Sequence, residues 1–158
     1  MIDPKTEVLC YVIPANLNEP IRMEKLKLEF FSKTEWSALS SMYPLIGNGC
    51  DTVERVRLPD GEKVPGVAHM ILWVDECGLM KPDPVFNARA SLISNNSLHG
   101  NAILTADSGF NTVNLPPLMC SHEAAASLDS YLKDVLAPEN DDRFGCFVYN
   151  PETDRIID

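Results

Sequence analysis

The side chains best able to do chemistry in this chain stand close together in its middle. Asp75 and Glu76 are adjacent carboxylates, Cys77 follows them, and Asn87, Arg89 and Asn101 come shortly after. Paired acids can serve general acid–base work when their environments separate their proton affinities. At the end of a strand they serve equally as solvated caps. Arg89 carries a planar fork suited to a carboxylate or phosphate ligand, unless it pairs with Asp75 or Glu76. Cys77 is the best-placed thiol for nucleophilic attack, because it falls in a turn. Its two acidic neighbours would hold its proton and dull it, so the turn role is the stronger reading. Asp75, Glu76, Asn87, Arg89 and Asn101 are therefore read as one ligand-binding pocket, with no catalytic residue assigned.

Other constellations carry less. The three histidines are His69, His99 and His122, and none pairs at the i, i+4 spacing of a helical metal site. Cys120-Ser121-His122 offers two ligands, but no second pair completes a tetrahedron. The five cysteines are Cys10, Cys50, Cys77, Cys120 and Cys146, an odd and widely spread set. That spacing speaks against a secreted disulfide framework and against a C-x-x-C site, leaving reduced, mostly buried thiols. Gly47 and Gly49 form a G-x-G without a third glycine or a following helix, which reads as a flexible loop. The sequence contains no phosphate-binding G-x-x-x-x-G-K-[ST], no G-x-S-x-G and no H-E-x-x-H. Neither a metal nor a cofactor is expected.

The elements that must position the central group read as follows. Glu7 to Ile13 is a strand ended by Pro14, and Lys25 to Phe30 alternates with period two, placing Leu26, Leu28 and Phe30 inward. Ser32-Lys33-Thr34-Glu35 is a capping box with Phe31 and Trp36 as a staple, predicting a helix to about Tyr43, stopped by Pro44. Val53 to Leu58 and Glu62 to Val64 flank Asp60-Gly61 as a short ribbon. His69 to Val74 is an apolar strand covered on both faces. Asp83-Pro84 predicts the start of a short helix, ended by Ser94-Asn95-Asn96-Ser97. Ala102 to Ala106 is a second central strand, and Asn111 to Pro117 a loop. Ser121 caps a helix whose stripe is Leu128, Tyr131, Leu132, Val135 and Leu136. Phe144 to Tyr149 is a last strand. Strands and long helices do not alternate strictly. The expected fold is therefore α+β: a mixed, mainly antiparallel sheet with two longer helices and one short helix packed on one face.

The stretch Val67 to Ala106 also carries a resemblance. The strand ending in V-D-E-C-G-L, the N-A-R-A at Asn87 to Ala90 and the G-N-A-I-L-T at Gly100 to Thr105 resemble the DUF3846 family, small proteins of phages, viruses and bacterial mobile elements. The match covers roughly a quarter of the chain. It implies a viral or mobile-element accessory protein inside a prokaryotic cell, and it supplies no catalytic residue. The region around Trp36 and the tail after Phe144 lie outside it.

Length and charge bound the rest. At 158 residues the chain is expected to form one domain, residues 1–158, with 67–106 as the family-like core and 150–158 a loose tail. No apolar run is long enough to span a membrane, and the start MIDPKTEV lacks a basic-then-apolar leader, so a cytoplasmic protein is expected. A net charge of −10 opposes direct nucleic-acid binding. Three functions remain. One is a non-catalytic accessory protein that binds a host protein or a small anionic ligand near Arg89. Another is an acidic inhibitor or nucleic-acid mimic occupying a basic enzyme. The third is a small enzyme using Cys77 or the Asp75–Glu76 pair. Oligomeric state is not legible.

Overall fold

The apolar run around Leu72 and the β-branched run at Glu7–Ile13 lie near the middle of one antiparallel sheet, and the described α-helices pack on its two faces. The computed structural model describes residues 7–30, 36–58, 69–108, 111–137, 148–150 and 155–157. Within them the strands are β1 (Glu7–Ile13), β2 (Arg22–Lys27), β3 (Glu29–Phe30), β4 (Trp36–Ser37), β5 (Val53–Arg57), β6 (His69–Asp75), β7 (Ala102–Ser108), β8 (Asn111–Val113), β9 (Val148–Asn150) and β10 (Arg155–Ile157). The helices are α1 (Leu39–Ile46), α2 (Ala88–Ser94) and α3 (His122–Leu136). The main sheet has the order β2-β1-β7-β6-β5, with β8 also on β7. Every pairing among the described strands is antiparallel. The expected α+β class, with a mainly antiparallel sheet and helices packed on it, is the fold the chain adopts.

Alternation along the strands divides the core in two. Val8, Cys10, Val12, Ile71, Trp73 and Ile103 face α1, where Met42 and Ile46 close over them. Tyr11, Ile13, Leu72, Val74 and Leu104 face the other way, against Ala90 of α2 and Ala125 and Leu132 of α3. The helices therefore cover both faces, not one. The reason is visible in β6, where Ile71, Leu72, Trp73 and Val74 are all buried, so neither side can be left wet. Each such aliphatic side chain contributes about 1.5–3 kcal/mol on burial.

Several local expectations give way to tertiary pairing. Ser32 to Glu35 of the capping box lie outside the described residues, but Trp36 and Ser37 pair with Phe30 and Glu29 as strand. A backbone committed to that pairing cannot open a helix at Trp36. The helix starts instead at Leu39, whose N–H bonds the Ser37 hydroxyl at 3.2 Å. It also runs through Pro44 to Ile46. The proline forfeits only one bond in the last turn, while Ile46 is held in the core at 3% exposure.

The helix expected at Asp83-Pro84 begins at Ala88, with Asn87 as its cap. Phe86 forms a bridge with His99, which keeps residues 85–86 extended. The loop expected over Asn111 to Pro117 contributes β8, in register with the end of β7 through Asp107 and Thr112. Residues Glu62 to Val64 lie outside the described residues; β5 pairs with the central strand β6. In the segment expected to be a loose tail, Arg155–Ile157 pairs with Val148–Asn150.

α3 fits its reading best: Ser121 Oγ accepts from Ala124 N–H at 3.0 Å, and Leu132 and Val135 are buried. Tyr131 is 61% exposed, because Ala125 and Asp129 occupy the centre of the inner face.

Candidate functional site

Five side chains were grouped by sequence, and the fold gives them three different fates. Asn87 is fully buried. Its Oδ1 accepts from Ala90 N–H at 3.0 Å, capping α2. Its Nδ2 donates to Ile13 O and Gly100 O, both at 2.9 Å, tying the end of β1 to the approach of β7. Every polar atom of this amide is therefore engaged within the protein.

Arg89 is also at 0% exposure. Its Nη1 donates to the Asp129 carboxylate of α3. Its Nη2 donates to Pro14 O at 2.6 Å and Asn16 O at 3.0 Å, and its Nε has no partner. It pairs with neither Asp75 nor Glu76 and faces no opening, so it is withdrawn as a ligand group. Burial would raise the Asp129 carboxyl, but Lys133, the Ile21 N–H and Arg89 together hold it below its ordinary value of 3.8.

Of the remaining three, Asp75 is buried, Asn101 is half-buried and Glu76 is at the surface. Asn101 bridges two elements, accepting from Ala15 N–H at 3.0 Å and donating to Ile46 O at 3.1 Å. Asp75 accepts from Cys77 N–H at 2.9 Å, which closes the turn, and holds the Lys81 ammonium at 3.3 Å. Lys81 also reaches Gly49 O at 3.4 Å. Glu76 is exposed. Cys77 is half-buried, and no base contacts its sulfur among the described residues.

Asp75 and Asn101 do meet in a cleft, of about 400 Å³, and its other polar walls come from residues not assigned to the site by sequence. Asn16 and Glu19 enter from the β1–β2 connection, Asn48 from the turn after α1, and Asp83 from the segment before α2. Asn48 sits at φ 51°, between two glycines that are also at positive φ. The stretch read as a flexible G-x-G loop is thus a shaped wall. Gly78 closes another side, where an added Cβ would stand 2.8 Å from His99 O.

Asp75, Glu19 and Asp83 give the cleft an acidic lining, and neither Glu19 nor Asp83 forms an ion pair among the described residues. No group of three or more His, Cys, Asp or Glu among the described residues is gathered tightly enough to hold a metal ion. Its carboxylates are spread around an opening and suit an extended cation better than a point charge. Leu79 at 67%, Met80 at 83% and Val85 at 53% exposure stand beside it. Val85 lines the cleft itself, and Leu79 and Met80 directly follow the lining residue Gly78 and precede Lys81, which holds Asp75. Asp83 is read from sequence as the cap of a helix, and Glu19 falls in the Asn- and Pro-containing stretch Ala15 to Pro20, a loop signal alone.

A second polar group lies on the α1 side of the sheet. Arg55 pairs with Asp107 and lies 5.3 Å over the Trp73 ring, and Trp73 Nε1 donates to Thr105 Oγ1 at 2.8 Å. Burial raises the Asp107 carboxyl, although Arg55, Thr105 and His69 oppose the shift. His69 stands directly across the ladder from Asp107.

No protein-family model matches the chain, and no curated protein matches it in sequence. Among solved structures, the crystal structure of the small RNA methyltransferase HEN1 is similar over 87% of this chain, at a TM-score of 0.53 and 18% identity. The chain spans 17% of the length of that protein, and the likeness is one of fold.

Proposed function

We propose that this chain works by contact: it is an accessory protein of a virus or mobile element that binds a host protein in the host cytoplasm, counter-defence being one such role. The cleft carries the reading. It joins an opening of about 400 Å³, the carboxylates of Glu19 and Asp83, which no described cation pairs, the exposed lining residue Val85 and the exposed Leu79 and Met80 that follow Gly78. Isolated exposed apolar residues are ordinary, whereas a group of them rimmed by polar atoms marks an interaction surface. The resemblance of Val67 to Ala106 to DUF3846 supplies the viral context.

The small anionic ligand loses its anchor, because Arg89 is engaged inside the protein. Support for the nucleic-acid mimic is also reduced, since acids and bases intermingle at Arg22–Glu24, Lys81–Asp75 and Lys133–Asp129. A mimic needs contiguous carboxylates along one face.

The test is site-specific photo-crosslinking in cells that naturally carry the gene. A photoreactive residue at Met80 is expected to capture one protein species that the same residue at Tyr131, on the outer side of α3, does not. Equal yields at the two positions, or none at Met80, would discard the reading.

A further inference from the structure

We infer that the cleft takes a basic–apolar segment of its protein partner: one arginine or lysine side chain enters between Glu19 and Asp83, beside the Lys81–Asp75 pair, and an adjacent apolar residue rests on Leu79, Met80 and Val85. This rests on the binding reading above and names the chemistry of the occupant.

Three observations lead there. The first is charge. Glu19 and Asp83 are exposed, line the same opening, and have no cationic partner among the described residues. The summed field of these carboxylates would steer an incoming cation toward the opening.

The second is that the wall already holds a cation of the proposed kind. The Lys81 ammonium lies 3.3 Å from Asp75 and 3.4 Å from Gly49 O, beside the Gly47–Asn48 wall. A carboxylate and a backbone carbonyl thus bind an ammonium at this rim. The Asn48 side-chain amide also lines the opening, with no hydrogen-bond partner among the described residues, and its oxygen is open to an N–H group of a guanidinium.

The third is the apolar shelf. Met80, the most exposed of its three residues, carries the unbranched, flexible side chain that lets methionine fit surfaces of different shape. A shelf beside an acidic opening selects a segment carrying both kinds of side chain. A free metal ion uses only half of that surface, and an acidic segment is repelled by it.

The experiment is an NMR titration of the full chain with two blocked tetrapeptides, acetyl-Gly-Arg-Leu-Gly-amide and acetyl-Gly-Glu-Leu-Gly-amide. The arginine peptide is expected to shift the side-chain amides of Asn48 and Asn101 saturably, and the glutamate peptide is not. Glu19→Gln with Asp83→Asn removes two exposed charges without touching the core and is expected to weaken the arginine peptide about tenfold. Met80→Ser is expected to weaken it several-fold, and raising salt from about 0.05 to 0.5 M to do the same. Equal binding of the two peptides, no saturable shift, or indifference to the double substitution would overturn the inference. A Met80 crosslink to a host protein with a silent arginine peptide removes the ligand class alone. A missing crosslink removes the functional reading as well.

Discussion

Arg89 of α2 donates to the carboxylate of Asp129 in α3, forty positions further along the chain, and neither side chain is open to solvent. The same guanidinium holds the carbonyls of Pro14 and Asn16, where the chain leaves β1. One side chain thus joins two helices and the loop behind the cleft. Removing one partner of a buried pair leaves the other charged and unpaired. Arg89→Met is therefore expected to lower stability by about 3–5 kcal/mol in urea denaturation. Arg89→Lys is expected to recover little, because one ammonium cannot span three acceptors set for a planar fork.

Asn87 gives a sharper comparison. Aspartate caps helices as well as asparagine does, so Asn87→Asp would be harmless if capping were the whole role. The amide nitrogen also satisfies Ile13 O and Gly100 O, and the site is fully buried. Asn87→Asp is expected to cost about 2–4 kcal/mol, as much as Asn87→Ala or more, because it strands two carbonyls and buries a charge. Thermal and chemical unfolding of the two variants side by side would check this.

Two buried aspartates respond to pH with opposite signs. The Asp129 carboxyl is held below 3.8, so the unfolded chain binds its proton more readily. Its contribution is fully present above that value and is lost as the pH falls through the lower, folded-state value. Asp107 is raised by burial, so the folded chain binds its proton more readily. Stability from this group declines as the pH rises from 3.8 toward the raised folded-state value. Asp107→Asn is expected to flatten the stability profile just above pH 4, and Asp129→Asn to flatten it below. Urea midpoints measured from about pH 2.5 to 7 would separate the two.

The thiols should differ sharply in reactivity. Burial, aided by the charge of Glu24, pushes Cys10 up to about 12, and burial also raises Cys50. Cys77 lies half-buried in the turn. With a thiol reagent at neutral pH, peptide mapping is expected to find Cys77 modified in the folded chain, and Cys10 and Cys50 modified only after unfolding.

Gly78 sets the wall of the cleft by lacking a side chain. A methyl there would meet the His99 carbonyl oxygen at 2.8 Å, and that atom belongs to the backbone. Gly78→Ala is expected to cost about 1–3 kcal/mol and to move the 78–80 turn away from residue 99. A loss of stability below about 0.5 kcal/mol would show that the turn yields freely.

Patterns that depend on near neighbours were legible in the chain itself. The apolar runs at Glu7–Ile13 and around Leu72, the Ser121 cap and the Asn-rich stop of α2 each report a local energy, and each stands where it was read. The antiparallel α+β class followed from the order of those pieces.

Pairing across long separations was decided only in three dimensions. Trp36–Ser37 became strand because Glu29–Phe30 lay opposite, and residues 85–86 stayed extended because His99 bridged to Phe86. Such contacts outweigh a capping preference worth about 1 kcal/mol.

The candidate site divides along the same line. Sequence located the acidic turn at Asp75 and the polar residues near it. Only the fold could turn Arg89 inward onto Asp129 and bring Glu19, Asn48 and Asp83 around Asp75, because their loops meet only where the ends of β1, α1 and β6 converge.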